Sequence, residues 1–324
     1  MDEAATCATR GIDLAAWQTS TLDQPLMLAA HTVGFLGPRG TFTEEALIAA
    51  LGGEPASDPI AGARRELIPF ASIYDTVQAV SKGEVDCALV PIENSIEGSV
   101  SVTVDVLAHE VDNLQIVREV RQPITHRLIA RPGVRLEDVQ KVVSHPHANA
   151  QCRTWLRDHL PDVEVEAANS TAKAVERVAA QEAPWAAIGT VLAAKEYGCV
   201  VLCEDIEDHD DNETRFIFLS RLRERQDLAE PYKTSVVCRI MKDQPGALLL
   251  ILQEFAHRYI NLTKIESRPS KRGLGDYIFF IDMEGTVSQA QVADALRCLT
   301  CKLLEVKVLG SYPVGRPPQR ADAF

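Results

Sequence analysis

Short apolar runs alternate along the chain, from residue 32 onward, with longer stretches in which apolar positions recur at helical spacing. The short runs predict buried β-strands and the longer stretches predict amphipathic α-helices. In the helix predicted to follow Ser72, for example, Ile73, Val77 and Val80 share one face and Gly83 ends the pattern. Repeated strand and helix units imply a mainly parallel sheet, and the length of this region implies two lobes.

Residues 100–111 fit two patterns. Every second residue over 100–106 is valine, as in a strand, whereas Val104, Leu107 and Val111 would line one face of a helix. The pattern alone leaves both structures open. The other strands predicted in this region are 33–36, 87–92, 142–143, 186–189, 200–203 and 216–220, and the predicted helices include 146–160 and 170–180.

Two polar loops follow predicted strands. The first strand runs into Gly-Pro-Arg-Gly at 37–40, and residues 41–44 then have the form of a capping box before a helix. Such a turn points backbone N–H groups at an anion, but the segment lacks the Lys-Ser/Thr of a phosphate loop and the GxGxxG of a dinucleotide fold. The second loop, 93–99, follows a strand at the place where open α/β sheets bind ligands.

The pattern of predicted strands and helices changes at residue 233. Strand 235–241, helix 245–259, strands 262–268 and 277–283, helix 288–302 and strand 305–309 follow in the order βαββαβ, which is typical of a ferredoxin-like domain. Ser288 and Gln291 repeat the capping-box spacing at the second helix.

These patterns divide the chain into consecutive parts. They are an N-terminal extension (1–31), a two-lobed region (32–222), a charged linker (223–232), the ferredoxin-like domain (233–313) and a tail rich in proline and charge (314–324). Within the two-lobed region, we expect one lobe to contain about 32–106 with 190–222 and the other to contain 107–189.

Charge and composition exclude some classes of protein. Lys and Arg total 33 against 46 Asp and Glu in 324 residues, a formal net charge of −13. That balance argues against a nucleic-acid binder, which needs a basic surface. No apolar run approaches the ~18 residues of a membrane span, and the N-terminus, with Asp2 and Glu3, lacks the basic start of a secretory signal. We therefore expect a cytoplasmic protein without a membrane partner.

The sequence does not predict a metal site. Cys298 and Cys301 form a single CxxC without a second pair at zinc-ribbon spacing, so we interpret them as core residues of a helix. The acidic run 205–213 has the alternate spacing of a calcium loop, but Glu213 stands where glycine is expected. We expect a solvated loop there.

Five motifs occur together and in order. They are Gly-Pro-Arg-Gly-Thr-Phe at 37–42, Val-Pro-Ile-Glu-Asn-Ser at 90–95, Ser-His-Pro at 144–146, Ser-Thr-Ala at 170–172 and Asn-Glu-Thr-Arg-Phe at 212–216. In this combination the chain resembles the prephenate dehydratases. Its C-terminal part resembles an ACT regulatory domain, with Gly-Ala-Leu at 246–248 and Glu-Ser-Arg-Pro at 266–269.

The resemblance implies a catalytic region of two α/β lobes, like that of periplasmic binding proteins, with the site in the cleft between them. It also implies conversion of prephenate to phenylpyruvate, with loss of carbon dioxide and water and without a metal or organic cofactor. It favours a helix over 99–110. Because the product ring is aromatic, the driving force lies in the substrate, and the protein has mainly to orient it and assist the departing hydroxyl.

By resemblance, the motif at 212–216 carries the catalytic residues. Thr214 is expected to donate a hydrogen bond to the departing hydroxyl, since its own hydroxyl is too weak an acid to release a proton. Arg215 is predicted either to clamp a substrate carboxylate or to hold the neighbouring acidic loop. Phe216 is expected to pack beneath the site.

We assign substrate binding to neutral hydrogen-bond donors. The predicted residues are Thr41, Asn94, Ser95, Ser144, Ser170 and Thr171. Ser170 heads a helix whose N-terminus favours anions. Such donors suffice despite the negative charge of the chain, because exposed charges are screened within ~8 Å and each hydrogen bond to a charged group contributes about 1.5–3 kcal/mol. For His145 and His147, a role at the start of a helix is expected.

By resemblance, the ACT domain binds phenylalanine and conveys end-product inhibition. Gly246 and Ala247 leave the backbone open at a helix start, where a carboxylate meets N–H groups. Such domains pair, so we expect a homodimer or homotetramer. The predicted phenylalanine contacts are Gly246, Ala247, Leu248, Asn261, Glu266, Ser267, Arg268 and Pro269.

Two other functions stay open. An arogenate dehydratase would act on the amino analogue of prephenate, and a two-lobed amino-acid sensor would close on a ligand without chemistry. The intact motif at 212–216 argues against the sensor.

Overall fold

The computed structural model describes residues 21–22, 30–52, 65–221, 223–224, 231–241, 244–271, 273 and 276–315. Most of the predicted N-terminal extension, most of the predicted tail and most of the predicted linker lie outside the described residues. Where the extension and the linker are described, β1 (Thr21–Leu22) pairs in parallel with β13 (Arg223–Glu224).

The first lobe is a mixed sheet covered by helices on both faces. Its strands are β2 (Thr32–Leu36), β3 (Glu66–Phe70), β4 (Cys87–Asn94), β5 (Gly98–Ser99), β6 (Gln115–Pro123) and β12 (Glu213–Ser220), and its helices are α1 (Phe42–Ala50), α2 (Ile73–Lys82) and α3 (Ser101–His109). The strand order is β3-β2-β4-β12-β6, with β5 paired to β4. Buried residues of α1 pack on one face, and those of α2 and α3 pack on the other.

The second lobe repeats this arrangement. Its strands are β7 (Arg127–Ala130), β8 (Lys141–Ser144), β9 (Glu164–Ala167), β10 (Trp185–Gly189) and β11 (Val200–Cys203), and its helices are α4 (Pro146–Gln151), α5 (Arg153–His159), α6 (Thr171–Ala179) and α7 (Val191–Glu196). The strand order is β11-β7-β10-β8-β9. Helices α4 and α5 cover one face of the sheet, and α6 and α7 cover the other.

The α/β class is confirmed, but the two sheets are mixed rather than mainly parallel. β12 runs antiparallel to both β4 and β6, and β7 runs antiparallel to both β10 and β11. A parallel neighbour needs a crossover helix. β7 and β12 are not reached through such a helix, since each is the first strand after the chain crosses between the lobes, through residues 124–126 and 204–212.

The lobes are divided differently from the sequence prediction. β6 belongs to the first lobe because it pairs with β12 over 115–123, and α7 and β11 belong to the second lobe. Among the described residues, the first lobe therefore comprises 30–52, 65–123 and 213–220, and the second comprises 127–203. Each reassigned strand pairs with a strand far away in the sequence. Local periodicity does not reveal such pairings.

Several local signals are confirmed. The Ser72 Oγ accepts the Asp75 N–H at the start of α2, and Gly83 ends that helix with a φ of 79°. The ambiguous segment 100–111 forms the helix α3, as the resemblance implied. The predicted helix 146–160 is interrupted at Cys152, which separates α4 from α5.

The C-terminal domain has the predicted ferredoxin-like order. It consists of β14 (Tyr232–Arg239), α8 (Ala247–Ala256), β15 (Leu262–Pro269), β16 (Tyr277–Glu284), α9 (Ala290–Lys302) and β17 (Glu305–Pro313), with an antiparallel sheet in the order β15-β16-β14-β17. One face of the sheet packs on α8 and α9, and the other shares an apolar core with α2, α3 and β12 of the first lobe. The capping box predicted at Ser288 is not formed, since Gln289 caps α9 without a side-chain hydrogen bond.

Candidate active site

A cleft of about 550 Å³ lies between the two lobes. The first lobe contributes the N-terminus of α1, the end of β4 with the loop that follows it, and the start of β12; the second contributes α4 and the N-terminus of α6. Its polar lining residues are Thr41, Thr43, Asn94, Glu97, Ser99, His126, His145, His147, Gln151, Asn169, Ser170, Thr171, Asn212 and Thr214. Phe42, Ile124 and Phe216 supply apolar surface.

Asn94 and Thr214 face each other across the antiparallel strands β4 and β12. Asn94 Nδ2 donates to Thr214 Oγ1 (2.9 Å) and to Asn212 Oδ1 (2.9 Å). Asn94 Oδ1 accepts the backbone N–H groups of Ile96 (3.0 Å) and Glu97 (2.9 Å), which fixes the orientation of the amide. A hydroxyl that accepts from an amide keeps its own proton for another acceptor. Thr214 is therefore oriented as a donor.

Asn212 carries this network into the second lobe. Asn212 is buried, and its Nδ2 donates to Gln151 Oε1 (3.0 Å). The same oxygen lies 2.8 Å from His126 Nε2. An amide oxygen only accepts, so Nε2 carries the ring proton of the neutral histidine. Burial lowers the pKa of His126, which keeps the ring neutral.

The turn at 37–40 joins the lobes at another side of the cleft. Thr190 Oγ1 donates to the Gly40 carbonyl (2.7 Å). The capping box is modified: Thr41 Oγ1 accepts from the Glu44 N–H (3.4 Å), but the Glu44 carboxylate accepts from the Gly40 N–H (2.6 Å). Burial raises the pKa of the Glu44 carboxyl group. The first loop of the site is thus anchored to both α1 and α7.

Glu97 spans the cleft from the first lobe to the second. Its carboxylate lies 3.7 Å from His147 Nδ1 and accepts from Gln151 Nε2 at 3.4 Å. His145 lies beside His147, and burial together with this neighbour lowers the pKa of His145. His145 does cap a helix, since its Nδ1 accepts from the His147 N–H.

Among the described residues, those that line the cleft include neither Lys nor Arg. An anionic ligand would therefore be held by hydroxyls, amides and backbone N–H groups. Thr41 and Ser170 are the N-caps of α1 and α6, and both helix starts border the cleft. Helix N-termini present free N–H groups and a positive end of the dipole to such a ligand.

The predicted catalytic and substrate-binding residues separate into two groups. Those that line the cleft are Thr41, Asn94, Ser170, Thr171, Thr214 and Phe216. Ser95 and Ser144 do not line it. Ser144 is fully buried and donates to the Ile188 carbonyl (2.7 Å), and Ser95 Oγ accepts the Glu213 N–H (2.9 Å). Both contacts hold the backbone around the site.

Arg215 points away from the cleft. Its side chain is 11% exposed, and the guanidinium group contacts Glu119 (2.7 Å), Asp282 (2.7 Å), Glu93 (3.1 Å) and the Tyr312 hydroxyl (2.9 Å). Burial by itself lowers the pKa of Arg215, but its polar and acidic neighbours outweigh burial and raise it. The geometry favours a structural role for Arg215, with partners in the first lobe and the C-terminal domain rather than in the acidic loop.

A second pocket, of about 420 Å³, lies at the start of α8 in the C-terminal domain. Gly246, Ala247 and Leu248, all predicted to bind phenylalanine, line it together with apolar side chains. Asn261 lies at the opposite end of β15 from the strand ends beside this pocket, and its amide donates to Glu284 (2.8 Å).

The predicted motif at 266–269 alternates across β15. Ser267 and Pro269 are exposed, and Ser267 pairs with Phe279, which lines the second pocket. Glu266 and Arg268 are turned to the first lobe instead, where Glu266 accepts from the Ser99 hydroxyl (2.5 Å). Ser267 and Pro269 therefore lie on the exposed side of β15, opposite residues that line the pocket, while Glu266 and Arg268 face the catalytic region.

The sequence prediction missed His126, Gln151 and Asn212 as site residues. No spacing relates the first two, which meet because the end of α4 lies against residue 126, in the connection between β6 and β7. For Asn212 a signal existed, because it stands in the same motif as Thr214.

Neither a metal site nor a membrane helix is found in the described ranges. They contain no group of three or more His, Cys, Asp and Glu side chains placed to hold a metal ion. No helix within those ranges is long and apolar enough to cross a membrane.

Comparison with known proteins identifies the families of the two-lobed region and of the C-terminal domain. Residues 33–224 match the prephenate dehydratase family, and residues 234–297 match the ACT domain. The chain is 42% identical to a prephenate dehydratase of Mycolicibacterium vanbaalenii over 287 residues. The alignment covers 87% of this chain and 91% of that protein. The crystal structure of prephenate dehydratase from Arthrobacter aurescens in complex with L-Phe is 43% identical, with a TM-score of 0.77 over 87% of this chain and 90% of that one. The Staphylococcus aureus prephenate dehydratase is 26% identical, with a TM-score of 0.71 over 87% and 99% of the two chains. This chain therefore belongs to the prephenate dehydratase family and carries a C-terminal ACT domain.

Proposed function

We propose that this chain converts prephenate to phenylpyruvate in the cleft between its lobes, with Thr214 as the hydrogen-bond donor to the departing hydroxyl. The hydrogen bond from Asn94 Nδ2 to Thr214 Oγ1 (2.9 Å) is the observation that carries this assignment. Because Thr214 Oγ1 accepts this hydrogen bond, its own hydroxyl proton points away from Asn94. Within the described residues, no protein acceptor takes that proton, so it is available to a substrate in the cleft.

The reaction needs a donor at this place. When the ring carboxylate leaves as carbon dioxide, the electron pair of the broken C–C bond enters the ring, and the hydroxyl oxygen leaves with the pair of the broken C–O bond. Negative charge develops on that oxygen until a proton from water completes the departing water molecule. A fixed donor at hydrogen-bond distance stabilises this charge. The ring itself accepts the electron pair and becomes aromatic, so the chemistry requires no external electron acceptor.

The neutral donors of the cleft support binding of a dicarboxylate. The N-termini of α1 and α6 lie on different lobes, so each is placed to meet one end of a doubly charged substrate. Each hydrogen bond to a carboxylate contributes about 1.5–3 kcal/mol. We assign Thr41, Ser170, Thr171 and Asn94 to substrate binding. Ser95 and Ser144 are assigned to holding the backbone of the site, and Phe216 to its apolar floor.

We further propose that phenylalanine binds the ACT domain at the pocket beside α8 and inhibits the reaction. Gly246 has a φ of 89°, and the pocket is otherwise lined mainly by apolar side chains, which suits an amino acid with an aromatic side chain. The relative from Arthrobacter aurescens was solved in complex with L-Phe. Ser267 and Pro269 lie on the strand that borders this pocket.

A homodimer or homotetramer is proposed from the surface of the ACT domain. Large apolar side chains are exposed there: Met241 (65%), Leu249 (57%), Ile265 (46%) and Tyr277 (43%). Exposed apolar patches mark contact surfaces between proteins. A cytoplasmic location stays a prediction.

The activity is tested with purified full-length protein at neutral pH, with prephenate and with arogenate in separate reactions. Phenylpyruvate is followed by its ultraviolet absorbance and phenylalanine by chromatography, and samples without protein correct for spontaneous decay of the substrates. We expect phenylpyruvate from prephenate as the faster reaction. Faster formation of phenylalanine from arogenate would favour an arogenate dehydratase. If neither phenylpyruvate nor phenylalanine forms, the result would favour a sensor and would contradict the proposal.

A further inference from the structure

Two neighbouring residue pairs occupy opposite faces of the strands β4 and β12. In the antiparallel register, Thr214 lies opposite Asn94, and Arg215 lies opposite Glu93. Successive side chains of a strand point to opposite faces. Thr214 and Asn94 line the cleft, so Arg215 and Glu93 point out of the other face. Contacts made by Arg215 on the opposite face of the sheet therefore hold the backbone that carries Thr214.

Two strands of the ACT sheet contact the Arg215 guanidinium group, and a third strand is hydrogen-bonded to both of the contacting side chains. Asp282 of β16 lies 2.7 Å from Nη1, and the Tyr312 hydroxyl of β17 accepts from Nη2 at 2.9 Å. Ser235 of β14 is hydrogen-bonded to both, to the carboxylate of Asp282 and to the hydroxyl of Tyr312 (2.5 Å). Asp282, Tyr312 and Ser235 are all fully buried. The position of Arg215 is therefore tied to the ACT sheet.

The first lobe completes this cluster with two carboxylates that are also shared with ACT lysines. Glu93 contacts Arg215 and, at 3.1 Å, Lys264; Glu119 contacts Arg215 and, at 2.7 Å, Lys233. The side chains of Arg215, Lys233 and Lys264 therefore meet the carboxylates of Glu93, Glu119 and Asp282 at one interface, and Lys264 also lies 3.6 Å from Glu266. The energy of a buried charge depends strongly on its partners. Displacement of one ACT strand therefore shifts the other charged side chains of the cluster.

The ligand side of the ACT domain is close to this cluster. Lys264 Nζ donates to Ser99 Oγ (2.6 Å), and Ser99 donates to Glu266 (2.5 Å). Ser99 belongs to the cleft lining. Ser267, the next residue along β15 after Glu266, pairs with Phe279 of the second pocket. One strand thus contacts both the loop of the active site and the border of the proposed phenylalanine site.

We propose that Arg215 is a positioning residue through which the ACT sheet sets the geometry of Thr214 and Asn94, and that a ligand on the ACT domain changes turnover by displacing this cluster. The inference rests on the proposed dehydratase function and names the route of its regulation. The cluster touches the strands of Thr214 and Asn94 and not the helix starts of α1 and α6, which are assigned to the substrate carboxylates. Disturbing it therefore changes kcat more than KM.

Two isosteric variants on the ACT side test this route in the full-length protein. Tyr312→Phe removes one hydroxyl from the Arg215 contacts, and Asp282→Asn removes one charge. For both, we measure kcat and KM for prephenate, the ratio of rates without and with saturating phenylalanine, and the thermal midpoint. We expect kcat to fall about tenfold with KM changed less than about twofold, and the phenylalanine ratio to approach 1.

Asp112→Asn is the matched control. Asp112 pairs with Lys307 (2.7 Å), which also links the first lobe to the ACT domain, but its side chain is 95% exposed and it lies outside the Arg215 cluster. We expect wild-type values for this variant. If it shows the same losses, or if both test variants show wild-type kcat and phenylalanine response, the inference is wrong. If Asp282→Asn does not fold, Tyr312→Phe decides. A wild-type protein that forms no phenylpyruvate contradicts the proposed function itself.

Discussion

Gly310 of the ACT domain lies directly against Ile116 of the first lobe, so that a β-carbon at position 310 would be 2.1 Å from the Ile116 carbonyl oxygen. The contact lies where the apolar cores of the two domains are continuous. Only a residue without a β-carbon allows the two strands to approach so closely.

We predict that Gly310→Ala loosens the ACT domain from the catalytic region. The obstructing atom belongs to the backbone and cannot rotate aside, so the strands must separate, at a cost of about 1–3 kcal/mol in the free energy of unfolding. Gly273→Ala is the control, since its nearest contact is a flexible carboxylate of Asp276 at 3.2 Å. Thermal unfolding measures both. Equal thermal midpoints would show that the close approach is not required.

A second glycine joins the two lobes at the cleft. Gly40 has a φ of 81°, and a β-carbon there would lie 2.8 Å from Ala193 Cα. We predict that Gly40→Ala lowers the thermal midpoint and raises the KM for prephenate, because α7 must move away from the first loop of the site. Gly52→Ala separates backbone strain from steric overlap: Gly52 has a φ of 93°, and apart from its chain neighbours no atom of the described residues lies within 4 Å of the added carbon. Strain alone costs about 1 kcal/mol. A loss at Gly40 no larger than at Gly52 would contradict the prediction.

Asn94 offers a test of hydroxyl orientation. In Asn94→Asp, the carboxylate only accepts, so Thr214 would donate its proton to residue 94 instead of to the substrate. The carboxylate would also repel an anionic substrate. We therefore predict a lower kcat/KM for Asn94→Asp than for Asn94→Ala, although aspartate has the shape of asparagine. Steady-state kinetics compares them, and the reverse order would argue against Thr214 as the donor.

His126 is expected to contribute to the pH dependence of stability. Burial lowers the pKa of His126 below its ordinary value of 6.5. The unfolded chain then binds a proton that the folded chain does not, so the free energy of unfolding decreases as the pH falls through about 6.5. We predict a steeper loss of thermal midpoint from about pH 7.5 to about 5.5 in the wild type than in His126→Gln, whose amide keeps a donor and does not titrate. Parallel curves would contradict this.

The predicted residues that line the cleft have local signals in the sequence. Asn94 follows the predicted strand 87–92, Thr214 lies just before the predicted strand 216–220, and Ser170 begins a predicted helix. The ferredoxin-like order of the ACT domain was predictable for the same reason: each element has its own periodicity.

The rest depended on contacts between distant parts of the chain. Arg215 looks like a ligand for a carboxylate until Asp282 and Tyr312, from another domain, are seen to surround it. The membership of β6 in the first lobe follows from its pairing with β12, about a hundred residues later. Pairing of this kind leaves no periodic trace in either segment.

The kcat of Thr214→Ala tests the central claim most directly, with Thr214→Ser as the matched control. Loss of a preorganised donor costs about 10²–10³ in turnover, whereas serine keeps the hydroxyl and is expected to stay within about tenfold of the wild type. Thermal midpoints close to that of the wild type show that the fold is intact. We predict that Thr214→Ala loses about 10²–10³ in kcat for prephenate with a nearly unchanged KM. A folded Thr214→Ala protein that turns over prephenate at the wild-type rate would contradict the account.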